Sequence, residues 1–300
     1  MNNISPLEPR SHRAFAPEMI TLLREVAVAA TARGIPWFVG GASARDMLLT
    51  HVHDIEPTRA TADVDIGISI ESWAGHEVLR AELLASGHFE QRGNATHRLH
   101  YRVPVTGVRT WLDVVPFGRI ADDSGKIAWP PDQAIRMNVA GFEEALRAAV
   151  PVRMDANLVV PVASLPAQAM LKVIAWQDRH DVDRKDASDL LFLLAWYGEA
   201  GNLERLYADD GFDLIEQHDH DPDIGGAALL GRDMADIVTP EVSAQILAVL
   251  APDNPSPLIL THMMASRMRI PGGDSAERTG QLFDAFRQEF LAAVQRRSGV

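Results

Sequence analysis

Apolar and polar positions alternate most sharply between Thr61 and Ile70, where Val64, Ile66, Ile68 and Ile70 interleave with Asp63, Asp65, Gly67 and Ser69. Successive strand residues point to opposite faces, so this spacing predicts a strand that buries its aliphatic side and presents two carboxylates on the other. Just upstream, the apolar run from Ile35 to Val39 breaks at Gly40-Gly41 and restarts as a short helix through Ala42, Ser43, Ala44, Arg45 and Asp46. Pro17 to Arg33 reads as an amphipathic helix: proline suits the first turn, Ile20, Leu23, Ala27 and Ala30 recur at helical spacing, and Gly34 closes it. The segment from Thr50 to Ala60 has no period and predicts a loop. Ser72 to Ser86 returns to helical spacing through Trp73, Val78, Leu79, Leu83 and Leu84.

From Phe89 to Val115 the pattern becomes sheet-like, with turns at Gly93-Asn94 and Gly107. Leu99, Tyr101, Val103 and Val105 alternate there with Arg98, His100 and Arg102, which gives one cationic face. Turn-forming residues loosen the pattern over Asp122 to Asp132 and again over Pro151 to Pro161. The expected division therefore lies between a mixed α/β domain, residues 1–155, and an α-helical domain, residues 156–300. Helical spacing dominates the second: Leu165, Ala169, Lys172 and Trp176, then Lys185 to Tyr197, then further helices through Ile246, Leu260 and Phe286.

Composition narrows the picture. The chain is 47% hydrophobic over 300 residues, as expected of a globular protein with one large or two ordinary domains. Its longest apolar stretch, Leu190 to Tyr197, is too short to span a bilayer, and Met1 to Arg13 lacks the apolar core of a secretory signal. A cytoplasmic location with no membrane partner is the expectation. Cysteine is absent, so any metal must be held by oxygen or imidazole, which favours magnesium. A net charge of -13 opposes non-specific adhesion to nucleic acid. Against that field, the window Gln91 to Leu112 contains Arg92, Arg98, Arg102 and Arg109 and no acidic residue.

A glycine pair leading into a helix exposes backbone amides at a helix N-terminus, which suits phosphate oxygens, and Ser43 adds a hydroxyl. By itself such a pair is as often a tight turn, and a lone Asp-x-Asp is often a solvated strand face. A third carboxylate changes the weighing: Asp113 sits in the apolar run Arg109-Thr110-Trp111-Leu112-Asp113-Val114-Val115, where a charge needs a reason. If that strand pairs near the first, Asp63, Asp65 and Asp113 converge beside the glycine turn. Such a site can hold two magnesium ions about 3.5–4 Å apart, one on nucleotide phosphates and one lowering the pKa of an attacking hydroxyl. Asp113 is then placed to accept that hydroxyl's proton.

Gly-Gly and a short helix, Asp-x-Asp on a strand, and a later Asp on another strand resemble the catalytic core of the DNA polymerase β-like nucleotidyltransferase superfamily. Within it, Arg59-x-Thr61-x-Asp63-x-Asp65, the downstream Lys172 and Lys185-Asp186-x-x-Asp189 look like the AbiEii/AbiGii toxin type. Arg45-Asp46 is similar to the Arg-Asp that follows the glycine pair in CCA-adding tRNA nucleotidyltransferases.

The resemblance implies an α+β fold, a mixed sheet with flanking helices followed by an α-helical domain that completes the active-site cleft. It also implies two Mg2+ ions and a nucleoside triphosphate (ATP, CTP, GTP or UTP) as co-substrate. Expected roles follow: Asp63 and Asp65 hold both metals, Asp113 holds one and serves as base, and Gly40, Gly41 and Ser43 cradle the β and γ phosphates. Lys172 offsets triphosphate charge, with Arg45, Lys185 and Asp186 as further nucleotide contacts and Arg98 and Arg102 as acceptor contacts. From the residues alone, Lys172 and Arg179 are as readily a solvated helix face, and Asp189 reads as structural.

The implied acceptor is an RNA end, tRNA foremost, with a toxin role and a cognate antitoxin. A small-molecule hydroxyl, as in antibiotic modification, a protein side chain, and nucleotide binding without turnover are the alternatives. Eleven histidines and six tryptophans suggest no further site: the histidine pairs lack a third ligand, and the tryptophans read as core or interface.

Overall fold

The computed structural model describes residues 5–56, 63–92, 97–104, 106–107, 109–208, 210–250, 253–254, 257–266, 268–273 and 275–298. Arg59 and Thr61, part of the motif before the aspartate strand, lie outside them. The chain divides into two units, residues 1–164 and 165–300.

The first unit is built on a mixed seven-stranded sheet in the order β3-β4-β5-β2-β1-β9-β8. Its strands are β1 (Trp37–Gly40), β2 (Asp63–Ser69), β3 (Phe89–Glu90), β4 (Arg98–Arg102), β5 (Arg109–Phe117), β8 (Val150–Asp155) and β9 (Leu158–Val162). A separate hairpin is made by β6 (Lys126–Ala128) and β7 (Arg136–Asn138). Helices α1 (Pro17–Ala32), α2 (Gly41–Asp46), α3 (Trp73–Ala85) and α4 (Phe142–Arg147) belong to this unit. The periodicity of α1 is realised in the burial of Leu22, Leu23, Val26 and Ala30. On β2, Val64, Ile66 and Ile68 are buried while Asp63, Asp65 and Ser69 are only partly covered, as the alternation requires.

Three features differ from the pattern-based expectation. The segment after the glycine turn does not become a loop at Thr50, because α2 runs on as a π-helical stretch, Met47–Val52, that buries Leu48, Leu49, Thr50 and Val52. Asp122 to Asp132 contains β6 rather than turns alone. The interval Pro151 to Pro161 is a β-hairpin, β8 with β9, in which the two prolines are register partners. Prolines usually argue against a strand, which is why the pattern looked broken. Because β9 also pairs in parallel with β1, the hairpin belongs to the sheet, and the division falls after Ser164 rather than between residues 155 and 156.

The second unit is helical: α5 (Leu165–Arg179), α6 (Lys185–Trp196), α7 (Leu203–Leu206), α8 (Phe212–Gln217), α9 (Pro222–Ile237), α10 (Pro240–Leu250), α11 (Leu258–Ala265) and α12 (Ala276–Ser298). Its core takes Leu190, Leu191, Leu193 and Leu194 from α6, Leu229 and Leu230 from α9, and Phe283, Phe286 and Phe290 from α12. Among the described residues no helix is long and apolar enough to cross a membrane.

Candidate active site

Asp63 and Asp65 leave β2 on one face because they are two residues apart. Parallel pairing makes Asp65 the register partner of Asp113 on β5, and antiparallel pairing makes Gly40 its partner on β1. The carboxylates and the glycine turn are thus brought to one end of the sheet. Further along the same face the register is locked by aromatic packing. A Cβ on Gly67 would come 2.6 Å from the Phe38 ring and 3.1 Å from that of Phe117, so only glycine lets the two rings close over β2.

The second glycine of the pair has a stricter duty. Gly41 adopts φ +62°, and a Cβ there would lie 2.0 Å from Oδ2 of Asp65, so backbone conformation and the space taken by the carboxylate both demand glycine. Ser43 is buried; its hydroxyl donates to the Gly40 carbonyl at 3.2 Å and accepts from the Asp65 amide at 3.4 Å, tying the turn to the strand. Arg45 is 2% exposed and donates to Oδ1 of Asp46 from Nη2 at 2.7 Å and from Nε at 2.9 Å, so its guanidinium is held inside the fold.

A cation completes the cluster. Arg98 of β4 is the register partner of Asp113 on the side away from β2. Its Nε donates to Oδ1 of Asp113 at 2.6 Å and its Nη2 donates to Oδ2, while Nη2 also lies 3.7 Å from Oδ2 of Asp63. Asp113 is 9% exposed, and a carboxylate that far from water needs such a bidentate partner. The hydrogen bonds to Asp113 in turn hold the Arg98 guanidinium above its ordinary pKa. Arg98 therefore balances the carboxylates, whereas Arg102, at the far end of β4, is exposed.

The donor chemistry fits a hard divalent cation: the candidates are all carboxylates, and the Asp63 side chain is 44% exposed. As placed, however, no group of three or more acidic or histidine side chains among the described residues could hold a metal. The Arg98 guanidinium bridges Asp63 and Asp113 instead.

The candidates in the helical unit form a cluster of their own. Lys172 of α5 donates from Nζ to Oδ2 of Asp189 at 2.6 Å and to Oδ1 of Asp186 at 3.1 Å. Arg179 clamps Asp186 from the same helix, Nε to Oδ2 at 2.6 Å and Nη2 to Oδ1 at 2.8 Å. Asp186 is fully buried. Burial pushes its carboxyl upward, but the hydrogen bonds from Arg179 and the charge of Lys172 outweigh it and hold the pKa below the usual value. Lys185 points instead to Asp183, Nζ to Oδ2 at 2.9 Å.

Two contributors were not singled out by pattern. Arg179, read as part of a solvated face, lies two helical turns from Lys172 on α5, and Asp186 meets both cations from the first turn of α6. Trp111, read with the other tryptophans as core or interface, sits two residues before Asp113 on β5 and so lies on the carboxylate face, 37% exposed.

A family model described as "Nucleotidyl transferase AbiEii toxin, Type IV TA system" matches residues 22–291. The chain belongs to the AbiEii family. No curated protein matches it in sequence. Among solved structures it is similar to the antibiotic-resistance factor ANT(2'')-Ia, with 19% identity, a TM-score of 0.35, and coverage of 67% of this chain and 97% of that one. An antigenic nucleotidyltransferase-like protein from Paracoccidioides brasiliensis shares 17% identity at a TM-score of 0.40, covering 68% of this chain and 90% of that one. A CCA-adding enzyme shares 12% identity at a TM-score of 0.26, covering 96% and 85% respectively. AbiEii membership makes the chain a nucleotidyltransferase-family protein, and its α+β architecture agrees with that.

Proposed function

We propose that this AbiEii-family chain transfers a nucleoside monophosphate from a nucleoside triphosphate to a hydroxyl at an RNA end, tRNA foremost, as the toxin of a toxin–antitoxin pair. The observation that carries the reading is the register of β2. Asp65 has Asp113 as its partner on one flank and Gly40 of the glycine turn on the other. In the reaction, the acceptor oxygen forms a bond to the α-phosphorus, the bond from that phosphorus to the bridging oxygen breaks, and pyrophosphate leaves.

The backbone amides at Gly40 and Gly41 would hold the β and γ phosphates at the start of α2. Ser43 holds that turn against β2. Asp63 and Asp65, with Asp113 as third ligand, are the residues that would hold magnesium, which when bound neutralises triphosphate charge and lowers the pKa of the attacking hydroxyl. A carboxylate offers about four lone-pair sites, so Asp113 can keep Arg98 and still accept the proton of the acceptor. Lys172 keeps its ammonium on Asp186 and Asp189 within the helical unit.

The test is to incubate the protein with magnesium, each α-labelled triphosphate in turn, and total cellular RNA, protein and small-molecule fractions. Label in the tRNA band, absent with Asp65→Ala, is the expected result. Label confined to protein or to small molecules overturns the RNA assignment, and no label in any fraction overturns transfer itself.

A further inference from the structure

The face of the sheet that carries Asp113 continues past it along β4 and β5. Register pairs Arg98 with Asp113, His100 with Trp111, and Arg102 with Arg109, so these six side chains share one face. Trp111 is the exposed centre of the strip. The His100 ring packs on it at 4.0 Å between centroids, and the Arg98 guanidinium carbon lies 5.0 Å from its ring centre. The indole is thus held in place from two sides while its remaining surface meets solvent, an arrangement that core packing does not require.

Beyond it, Arg102 and Arg109 sit directly opposite one another, both exposed. Like charges in that position are unfavourable. Among the described residues neither guanidinium has a hydrogen-bonded carboxylate, and the nearby Glu90 of β3 turns its carboxylate to Arg92, at 2.9 Å. An anion laid across the two arginines would relieve their repulsion. In a chain of net charge -13, Arg98, Arg102 and Arg109 gathered around a braced aromatic ring fit a phosphate-bearing, base-bearing ligand.

We propose that Trp111, braced by His100, is the stacking platform for a base near the single-stranded end of the acceptor RNA, with Arg102 and Arg109 holding its backbone phosphates. The destination of the strand rests on the nucleotidyl-transfer reading above. Two residues of strand separate Trp111 from Asp113, about 7 Å, so a base lying on the indole leaves the terminal hydroxyl within reach of the carboxylates. Stacking on an aromatic face is tolerant of sequence but demands an unstacked base, so the platform selects single strands over duplex.

The experiment measures binding without transfer. Fluorescence anisotropy of an end-labelled 12-nucleotide single-stranded RNA, and of its blunt duplex, is followed with wild type and variants in the absence of triphosphate and magnesium. Wild type binds the single strand more tightly than the duplex. Trp111→Ala weakens single-strand binding roughly 5- to 150-fold, the range for one base stacked on an aromatic side chain, while Trp111→Phe keeps it within a few-fold. Arg102→Ala with Arg109→Ala flattens the dependence of log affinity on log salt by about 1 to 2, close to 0.7 per single-strand phosphate released. Unchanged triphosphate binding and thermal unfolding show that each variant is folded.

Equal affinity of Trp111→Ala and wild type for the single strand, or equal affinity of wild type for duplex and single strand, overturns the platform. The total-RNA labelling assay separates the two levels. If wild type labels RNA but Trp111→Ala binds and labels it equally well, the platform is wrong and the transfer reading stands. If wild type labels only protein or small molecules, both fall.

Discussion

The sheet end around Asp65 and the α5–α6 cluster around Asp186 use the same kinds of group at different depths. In the first, Arg98 bridges Asp63 and Asp113, with Asp65 beside them on β2. In the second, Asp186 and Asp189 face Lys172 and Arg179. Asp186 is fully buried, so its carboxylate depends on the cations of Lys172 and Arg179 to offset the loss of water. At the sheet end the Asp63 side chain is 44% exposed, so its carboxylate can be reached from solvent by a further cation. Exposure therefore separates a cluster closed within the helical unit from one that leaves the Asp63 carboxylate open to solvent.

The largest test of that contrast is Asp65→Ala. It should stop nucleotide transfer while the protein still unfolds in one cooperative thermal transition, because no core side chain is removed; retained wild-type turnover would break the assignment of the carboxylates. Asp113→Asn comes next, with turnover lowered ~10²- to 10⁴-fold and triphosphate affinity little altered, as expected when a proton acceptor is lost. Collapse of affinity with turnover at saturation preserved would make Asp113 a ligand alone.

On the buried side, Asp186→Ala should cost about 3 kcal/mol in urea unfolding, the low end for a broken buried pair, since Lys172 keeps Asp189 and Arg179 is 41% exposed. The folded carboxyl of Asp186 lies below its ordinary pKa of 3.8, so the stability it contributes is full above about pH 4 and is lost as pH falls through the lowered value. Asp186→Asn should flatten that acid limb of the stability profile, and an unchanged limb would place the acid sensitivity elsewhere. Gly41→Ala should cost about 1–3 kcal/mol of stability, as for a non-glycine residue held at positive φ. Its added methyl must also displace the Asp65 carboxylate, so transfer should fall out of proportion to stability.

Much of the catalytic end was legible from spacing because its logic is local. Alternation along β2 gave its two faces, the glycine pair gave the turn, and an aspartate in an apolar run announced a partner strand. Partner identity was not legible. That Arg98 would meet Asp113, and Arg102 would meet Arg109, depends on how the β4–β5 hairpin is aligned, which alternation leaves open by steps of two. Ser43 and Arg45 carried the right residue types for a phosphate site, but their burial is decided by how α2 packs against β2. The β8–β9 hairpin was hidden by its prolines, which the sheet accommodates by setting them opposite each other.

The order of strands also fixes when the active end can exist. Asp65 and Asp113 are joined by a parallel pairing, and the whole of α3, β3 and β4 is synthesised between them. Parallel partners far apart in sequence form late, after the loop between them has been closed. β1, which carries the glycine turn, has β2 on one side and gains its other neighbour only when β9 has been made. A chain emerging from the ribosome thus carries its carboxylates well before it carries a site, and its sheet is completed only as residues near Val162 appear.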